Sequence, residues 1–385
     1  MKRWANRVVW GLLLLSAAIL YLFGNQSGTR VILAVCVVLP LLSAAFLYLP
    51  KQEASAALDG PEEIRRDRTA KLQLTVGHPV RVSASLCGEI RCENLLTGQT
   101  KTLPFHLYLR GKKDEVLEAE LLAAHCGTMQ LTLQNCVLTD PLSLFTRKIN
   151  LLAERQICVK PKPFGMTVRL CESADYLEDS RRCAADRPGY DPSETYRIRE
   201  YQPGDPIRQI HWKLSEKTQK VFVRDLGLPM VEQLLLLQEL TVIPGTEISP
   251  KDLDRTLDAL YSVSEALLRA EIRHRIAWQD NRTGRPEWRT VDSEPALEEA
   301  FTRLLSAPLS PGNNTVCGCW AEYAQRGSFA HAAVFSAYPE PDLDLLCHGN
   351  IVTALLPAER LPNSAGTPGG ARYRAIGEEG TELEL

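Results

Sequence analysis

The feature that most constrains the fold is a pair of long apolar stretches at the amino terminus. Residues 8–23 are apolar except for Ser16, and residues 31–49 are apolar except for Ser43 and the helix-perturbing Pro40. A helix needs about 20 residues to cross roughly 30 Å of hydrocarbon. Only residues 24–30 separate the two stretches, so the chain must turn back at once. The sequence therefore predicts a transmembrane helical hairpin within residues 1–50.

The basic residues around the hairpin predict its orientation. Lys2, Arg3 and Arg7 lie at the start of the first helix, whereas the turn between the helices carries Arg30 alone. Positive residues accumulate on the cytoplasmic side of membrane proteins. We therefore expect a multi-pass plasma-membrane protein with both termini in the cytoplasm. A cleaved signal peptide is the alternative, but a second apolar stretch follows immediately and no convincing small-residue cleavage site precedes it.

The overall composition argues against several classes of protein. The 44 lysines and arginines are balanced by 47 aspartates and glutamates, so a broad basic surface for nucleic acid is not expected. The 11 cysteines are scattered, and the one close pair, Cys317 and Cys319, has no second pair downstream. A zinc site needs about four convergent ligands. We therefore predict free thiols in a reducing compartment, with no zinc.

The segment after the hairpin predicts a β-rich module. Residues 51–70 are charged and small, which indicates a juxtamembrane linker. Apolar residues then alternate with polar ones over residues 71–165, as in Leu72, Leu74 and Val76. Short alternating runs separated by turn residues favour an antiparallel, sandwich-like module. Within it, residues 140–145 (DPLSLF) predict a structural corner, because the residue before a proline avoids the helical region.

A dense motif follows within residues 166–230, where residues 196–213 read YRIREYQPGDPIRQIHWK. Proline followed by glycine favours a tight turn, and arginine pairs with carboxylates through two parallel hydrogen bonds. The motif could therefore be an internal salt-bridge network tied to a strand at 221–224. It could instead be a recognition surface for an acidic or phosphorylated partner. The candidate partner-binding residues are Arg197, Arg199, Glu200, Tyr201, Pro203, Gly204, Asp205, Arg208, Trp212 and Lys213.

The motif resembles the signature of a bacterial protein family, the "domain of unknown function 58" family. The resemblance is carried by REYQPGDPIRQIHWK at 199–213, VFVRDL at 221–226, the corner at 140–145 and ICVKP at 157–161. It extends from the hairpin to about residue 240; His211 departs from the usual aspartate. The resemblance implies a bacterial inner membrane protein and a von Willebrand factor A-like domain downstream. It also implies a MoxR-type AAA+ ATPase as partner, and it implies no particular reaction.

The pattern of residues 231–362 indicates an α/β domain independently of the resemblance. Residues 234–237 are four leucines, as expected for a strand buried on both faces. Residues 249–268 have a serine cap, a proline and apolar positions at helical spacing. Further strands are predicted at 275–278, 331–335 and 351–356, with a second helix at 297–305. Alternating strands and helices predict a doubly wound sheet, and the resemblance implies that it is of the von Willebrand factor A type.

The metal site of such a domain is predicted to be lost. A metal-binding von Willebrand factor A domain carries Asp-x-Ser-x-Ser after its first strand, where the oxygens bind a hard cation. Here those positions hold Gln238, Leu240 and Val242. We expect Glu239 and Thr241 to be solvated rather than coordinating, and we expect no cofactor. The tail, residues 363–385, has little apolar content and is predicted to be disordered.

Three functions remain open. The first is a non-enzymatic membrane-anchored cytoplasmic adaptor that works with a MoxR-type AAA+ ATPase in envelope or protein-complex maturation. The second is an enzyme resembling a cysteine hydrolase, although His125–Cys126 and Cys347–His348 are only sequence neighbours without an orienting group. The third is a metal-dependent adhesion module, which the missing Asp-x-Ser-x-Ser disfavours. The sequence favours the adaptor.

Overall fold

The computed structural model divides the chain into two compact units, Met1–Lys160 and Pro161–Leu385. The residues that it describes are 2–24, 27–48, 54–77, 83–110, 113–169, 191–202, 205–206, 209–218, 220–227, 234–323, 329, 331–347, 351–362, 371–376 and 382–384.

The amino terminus forms the expected pair of helices, α1 (Lys2–Phe23) and α2 (Ser27–Tyr48). Both are long and apolar enough to cross a membrane. Gly24 follows α1 and is hydrogen-bonded to both helices. Its N–H donates to Leu20 O of α1 at 2.8 Å, and its carbonyl accepts the hydroxyl of Thr29 in α2 at 2.8 Å. Most of their large apolar side chains are exposed in the protein, which is what lipid-facing helices require.

The described residues of the first unit also contain nine strands. They are β1 (Ser55–Asp59), β2 (Glu63–Arg65), β3 (Thr69–Gly77), β4 (Ala84–Asn94), β5 (Thr100–Leu109), β6 (Glu115–Leu122), β7 (Gly127–Thr139), β8 (Thr146–Lys148) and β9 (Glu154–Lys160). One sheet has the order β1-β3-β6, and the other has the order β2-β9-β7-β4-β5 with β8 paired to β7. The inward residues of both sheets, such as Leu72 and Ile90, share one apolar core. We refer to these strands as the β module.

The linker predicted for residues 51–70 is in large part structured. Residues 55–59 and 63–65 are strands, and Leu58 is buried in the core. β1 pairs antiparallel with β3, and β2 pairs parallel with β9. The prediction was wrong because short edge strands satisfy their backbone through the neighbouring strand. Small and charged side chains are sufficient for such strands, so their composition resembles that of a linker.

The second unit contains the remaining elements. They are β10 (Thr167–Arg169), β11 (Asp191–Glu200), α3 (Trp212–Thr218), β12 (Phe222–Gly227), β13 (Leu234–Gln238), β14 (Thr241–Val242), α4 (Pro250–Arg269), β15 (His274–Asp280), β16 (Arg285–Val291), α5 (Glu294–Leu304), β17 (Ser310–Pro311), α6 (Val316–Tyr323), β18 (His331–Phe335), α7 (Leu343–Leu346), β19 (Ile351–Leu356), β20 (Arg372–Ala375) and β21 (Glu382–Glu384).

A six-stranded sheet of order β16-β15-β13-β18-β19-β20 organises this unit. Its neighbours are parallel except for the antiparallel edge strand β16. β13 is buried at every position, as its four leucines predict. α4 follows Ser249 and Pro250 and buries Leu253, Leu257 and the other apolar residues of one face. The predicted strands at 275–278, 331–335 and 351–356 and the helix near 297–305 are all present.

The tail predicted to be disordered contributes two strands. β20 extends the main sheet in parallel with β19, and β21 pairs with β10. Ala371 is buried, whereas Arg372 and Arg374 are exposed. The prediction was wrong because an edge strand gains backbone hydrogen bonds without burying much apolar surface. Residues 363–370 lie outside the described residues.

Candidate functional site

The motif forms a β-hairpin with a short helix in its connection. β11 pairs antiparallel with β12, with Arg199 opposite Val223. Beyond the strands, Tyr201 N–H donates to Val221 O at 2.8 Å, and His211 N–H donates to Phe222 O at 2.8 Å. We refer to the described residues of this segment, 191–202, 205–206, 209–218 and 220–227, as the signature hairpin. The strand predicted at 221–224 is thus its second strand.

The turn of the signature hairpin is held by an arginine and an aspartate. Arg199 Nη1 and Nη2 donate to the two carboxylate oxygens of Asp205, both at 2.8 Å. Gln202 N–H also donates to Asp205, at 2.8 Å. The hydrogen bonds from Arg199 and then from Gln202 lower the pKa of Asp205 from 3.8 to about 2. Arg199 and Asp205 therefore form an internal brace, which is the structural alternative for this part of the motif.

The other carboxylate of the motif is also paired within the hairpin. Lys220 Nζ donates to Glu200 Oε1 at 2.6 Å, and this interaction raises the pKa of Lys220. Both side chains are largely exposed, so the pair contributes little to stability. It does tie the end of β11 to the residues that precede β12.

His211 caps α3. Its Nδ1 accepts a hydrogen bond from Leu214 N–H at 3.2 Å, and its carbonyl accepts one from Ser215 N–H at 3.0 Å. Aspartate is a preferred cap because its side chain accepts the same backbone donor. The imidazole nitrogen makes that interaction here, so histidine supplies at position 211 the contact that an aspartate would make.

The side chains after the cap face solvent. Trp212 is 65% exposed, and Lys213 and Lys217 are exposed beside it on α3. Among the described residues, no carboxylate lies within ion-pair distance of either lysine. Tyr201 is also exposed, at 37%. The motif therefore divides into a braced turn and an outward surface with an indole and two ammonium groups.

The remaining candidate residues of the motif can be placed only in part. Arg197 lies in β11 opposite Asp225 of β12. Pro203, Gly204 and Arg208 lie outside the described residues, as does His348 of the Cys347–His348 pair.

A second constellation lies at the carboxyl ends of β13 and β18. Glu239 directly follows β13 and is 2% exposed, and Glu340 follows β18 and is 3% exposed. Glu239 Oε1 accepts Thr241 N–H at 2.6 Å, and Oε2 accepts Val316 N–H, the first residue of α6, at 2.8 Å. Each carboxyl group perturbs the pKa of the other, and Glu340 Oε2 is buried without a hydrogen-bond donor among the described residues. We call Glu239 and Glu340 the acid pair.

Polar side chains enclose the acid pair on the Glu340 side. Ser336 Oγ donates to Glu340 Oε1 at 3.2 Å, and the Tyr338 hydroxyl donates to Thr241 O at 2.9 Å. Thr315 Oγ1 donates to Asp342 Oδ2 at 2.8 Å just before α6. In open α/β sheets, ligands bind in the crevice at the carboxyl ends of the strands, where the connections of two neighbouring strands run in opposite directions. In this protein the two carboxyl groups of the acid pair occupy that crevice.

Burial controls the protonation of the acid pair. It raises the pKa of Glu239, and burial together with the neighbouring Glu239 charge raises that of Glu340 well above its usual value. Two buried carboxylates in contact cannot both ionise without a large cost. Since Glu239 already accepts two backbone N–H groups, the ionised form is favoured there. The shared proton therefore resides on Glu340.

The predicted degenerate metal positions are buried and engaged in other contacts. Gln238 Nε2 donates to Glu239 O at 3.1 Å and to Thr256 Oγ1 at 3.2 Å. Leu240 is fully buried and Val242 is half-buried. The expectation that Glu239 and Thr241 are solvated was wrong, because α6 and residues 336–342 cover this end of the sheet. In the described part of the chain, no three His, Cys, Asp or Glu side chains are grouped to hold a metal ion.

Three of the buried or half-buried cysteines have the opposite character to catalytic thiols. A nucleophilic thiol has a depressed pKa, whereas burial raises the pKa of Cys92 to about 11 and also raises those of Cys317 and Cys347. Cys126, of the His125–Cys126 neighbours, is buried. The nine cysteines of the described chain form no disulfide.

One serine–histidine contact occurs on the outward face of the β module. Ser85 Oγ lies 2.7 Å from His106 Nε2 across β4 and β5. Within the described residues no carboxylate hydrogen-bonds His106, so the pair lacks the third group that orients a catalytic histidine. It is a cross-strand polar pair on an exposed sheet surface.

Comparisons with known proteins give only weak likenesses. No family model matches the chain, and no curated protein matches it. Among solved structures, a CARDB domain from Pyrococcus furiosus is 14% identical, covering 28% of this chain and 92% of that chain with a TM-score of 0.21. The DNA glycosylase AlkC from Pseudomonas fluorescens is 10% identical, covering 37% and 42% with a TM-score of 0.21. Scores this low assign neither a fold nor a function.

Proposed function

We propose that this protein is a membrane-anchored cytoplasmic adaptor of the bacterial inner membrane that docks a MoxR-type AAA+ ATPase through its signature hairpin. Both termini would lie in the cytoplasm. The identity of the partner comes from the sequence resemblance. The exposed surface of α3 supplies the means of binding.

The anchor is supported by the hairpin of α1 and α2. Basic residues lie at the start of α1, and the first elements after α2 are the strands of the β module. By the positive-inside rule, this arrangement favours a cytoplasmic location for the folded units. The cysteines of the described residues form no disulfide, which agrees with a reducing compartment.

The sheet topology supports a von Willebrand factor A-like domain without its metal. The strand order places the first strand of the sheet, β13, at the centre and one antiparallel strand, β16, at an edge. The acid pair occupies the edge of the sheet where such a domain would bind a cation. We infer that this domain is a protein-binding scaffold and not a metal-dependent adhesion module.

Trp212 is the single observation that carries the docking proposal. The indole of Trp212 is 65% exposed at the start of α3, so most of it is left out of the protein's core. Tryptophan is among the residues that dominate binding energy at interfaces. Lys213 and Lys217 are also exposed on this short helix, so we infer a partner surface with an apolar pocket for the indole and carboxylates nearby.

The test is affinity capture of the full-length protein from crosslinked membranes, with the MoxR-type ATPase identified by its peptides. We would compare the intact protein with Trp212→Ala, Lys213→Glu and the matched control Tyr108→Ala, an exposed aromatic residue of the β module. A hot-spot tryptophan contributes about 2 kcal/mol or more to binding, which is roughly a 30-fold change in affinity.

The proposal predicts that Trp212→Ala and Lys213→Glu no longer capture the ATPase and that Tyr108→Ala still captures it. Each variant should keep the melting temperature of the intact protein, because Trp212 and Lys213 are exposed. Equal recovery of the ATPase with all variants would move the interface away from α3. No ATPase with the intact protein would refute the adaptor function.

A further inference from the structure

The open end of the helical hairpin carries the features of a membrane–water interface. The start of α1 and the end of α2 lie at this end, opposite the turn at Gly24. Trp4 is 75% exposed there and Tyr48 is 54% exposed. Exposed tryptophan and tyrosine at the ends of membrane helices lie at the level of the lipid headgroups. Trp4 and Tyr48 therefore mark that level on this protein.

The corner of the β module at residues 140–148 contacts the same end of the hairpin. Arg7 Nε donates to Leu144 O at 2.8 Å, and the Tyr48 hydroxyl donates to Thr146 O at 2.8 Å. Arg147 of the β module donates to the helical hairpin, from Nη1 to Leu47 O at 3.2 Å. These bonds place the corner at headgroup level. They also bring two guanidinium groups to one seam between the hairpin and the module.

The carboxylate of the corner, Asp140, does not neutralise these arginines. Asp140 is buried, and its oxygens accept the Ser43 hydroxyl, Leu142 N–H at 3.2 Å and Phe145 N–H at 2.7 Å. Across the described residues, no carboxylate lies within ion-pair distance of Arg7 or Arg147. Each guanidinium has five N–H donors and uses one of them in the contacts above. Most of the donors at the seam therefore remain for a ligand.

The depth of the seam selects the ligand. Arg7 is three residues along α1 from Trp4, which is about 4.5 Å at 1.5 Å per residue. This depth is within reach of lipid phosphates. Guanidinium groups bind phosphate oxygens through paired hydrogen bonds. Basic pockets beside membrane helices on the cytoplasmic side bind the headgroups of anionic lipids.

We propose that Arg7 and Arg147 together bind the phosphate of an anionic phospholipid, with the Tyr48 ring alongside it. The bound lipid would bridge the hairpin and the β module and hold the module against the membrane surface. This inference rests on the membrane anchor of the proposed function. It does not depend on the docking of an ATPase.

Lys148 provides a matched control. It follows Arg147 directly in β8, and successive side chains of a strand point to opposite faces. Lys148 is exposed and has the same charge, so general attraction to an anionic membrane would involve both residues equally. A built phosphate site would involve Arg147 and spare Lys148.

The experiment is native mass spectrometry of the full-length protein in detergent, titrated with phosphatidylglycerol or with phosphatidylcholine of the same acyl chains. We expect at least a tenfold preference for phosphatidylglycerol. Arg147→Gln and Arg7→Gln should each reduce that preference at least fivefold, Arg147→Lys should restore part of it, and Lys148→Gln should leave it unchanged. Soluble glycerol phosphate at millimolar concentration should not compete, since it lacks the acyl chains that hold the headgroup at the seam.

Equal binding of the two lipids by the intact protein would overturn the proposal. So would equal losses in Arg147→Gln and Lys148→Gln, which would indicate general electrostatic attraction. Carbonate extraction of cell membranes separates this result from failure of the anchor. Intact protein that stays in the membrane pellet but shows no lipid preference refutes the lipid site alone, whereas protein released from the pellet refutes the anchor itself.

Discussion

The acid pair makes a sharp prediction about stability and pH. In Glu340→Gln, the side-chain amide reproduces the protonated glutamate, because it can donate N–H to Glu239 and accept the Ser336 hydroxyl. In Glu239→Gln, one of the two oxygens that accept Thr241 N–H and Val316 N–H becomes an NH₂ group. The first variant should therefore preserve the site, and the second should damage it at every pH.

The magnitude follows from proton linkage. The pKa of each acid is raised above the usual 4.5, so the folded protein binds more protons than the unfolded chain between 4.5 and the folded-state values. The stability contribution is complete below pH 4.5 and is lost as the pH rises through that interval. Each proton that the folded protein retains and the unfolded chain has lost gives a slope of about 1.4 kcal/mol per pH unit.

Urea unfolding of the full-length protein in detergent, at pH 5, 6 and 7, measures this slope. The fluorescence of Trp278, which is fully buried in β15 of the same sheet, reports on the unit. The stability of the intact protein should fall as the pH rises above 4.5, whereas that of Glu340→Gln should not show this fall, so the variant should become more stable relative to the intact protein by up to about 1.4 kcal/mol per pH unit. The control Glu322→Gln, an exposed residue of α6, should follow the intact protein. Parallel pH profiles for Glu340→Gln and the intact protein would refute proton sharing.

Three further predictions concern local contacts. Asp205→Asn should loosen the signature hairpin and increase trypsin cleavage in α3 several-fold at pH 7. In the intact protein the brace should hold above pH 3.8 and weaken as the pH falls towards about 2. Unchanged cleavage of the variant would refute the brace. His211→Ala should lower the stability of the signature hairpin, measured by hydrogen exchange, by about 1 kcal/mol. His211→Asp should not lower it, because aspartate also accepts Leu214 N–H. Equal losses in the two variants would contradict the capping role. Asp140→Ala should lower the urea stability of the β module by about 1–3 kcal/mol, because it leaves Phe145 N–H without its acceptor; a change below 0.5 kcal/mol, roughly the size of an ordinary surface substitution, would contradict this.

The parts of the fold that the sequence predicted are those in which local pattern and burial agree. The leucines of 234–237 could form only a strand buried on both faces, and Ser249 with Pro250 marked the start of α4. The strands at 55–59 and 372–375 could not be predicted in this way. They are held by backbone bonds to β3 and β19, and neither partner lies next to them in the sequence.

The same distinction applies to the candidate site. Arg199 and Asp205 are six residues apart, so the predicted clustering of a guanidinium around Asp205 could be inferred from the motif. Glu239 and Glu340 are separated by about a hundred residues and meet only because β13 and β18 are adjacent. An acidic residue directly after a strand of four leucines and a glutamine was the available signal. It was interpreted as solvated because the covering elements were not predicted.

The most direct test of the adaptor function is site-specific photocrosslinking in living cells. A photoreactive amino acid is placed at position 212 of the full-length protein, and in a control at the exposed position 345. The crosslinked products identify what contacts α3 while the protein is anchored in the membrane. We predict a crosslink to a MoxR-type AAA+ ATPase at 212 and none at 345. Crosslinks to the ATPase at neither position, with the protein present in the membrane at normal levels, would contradict docking through the signature hairpin.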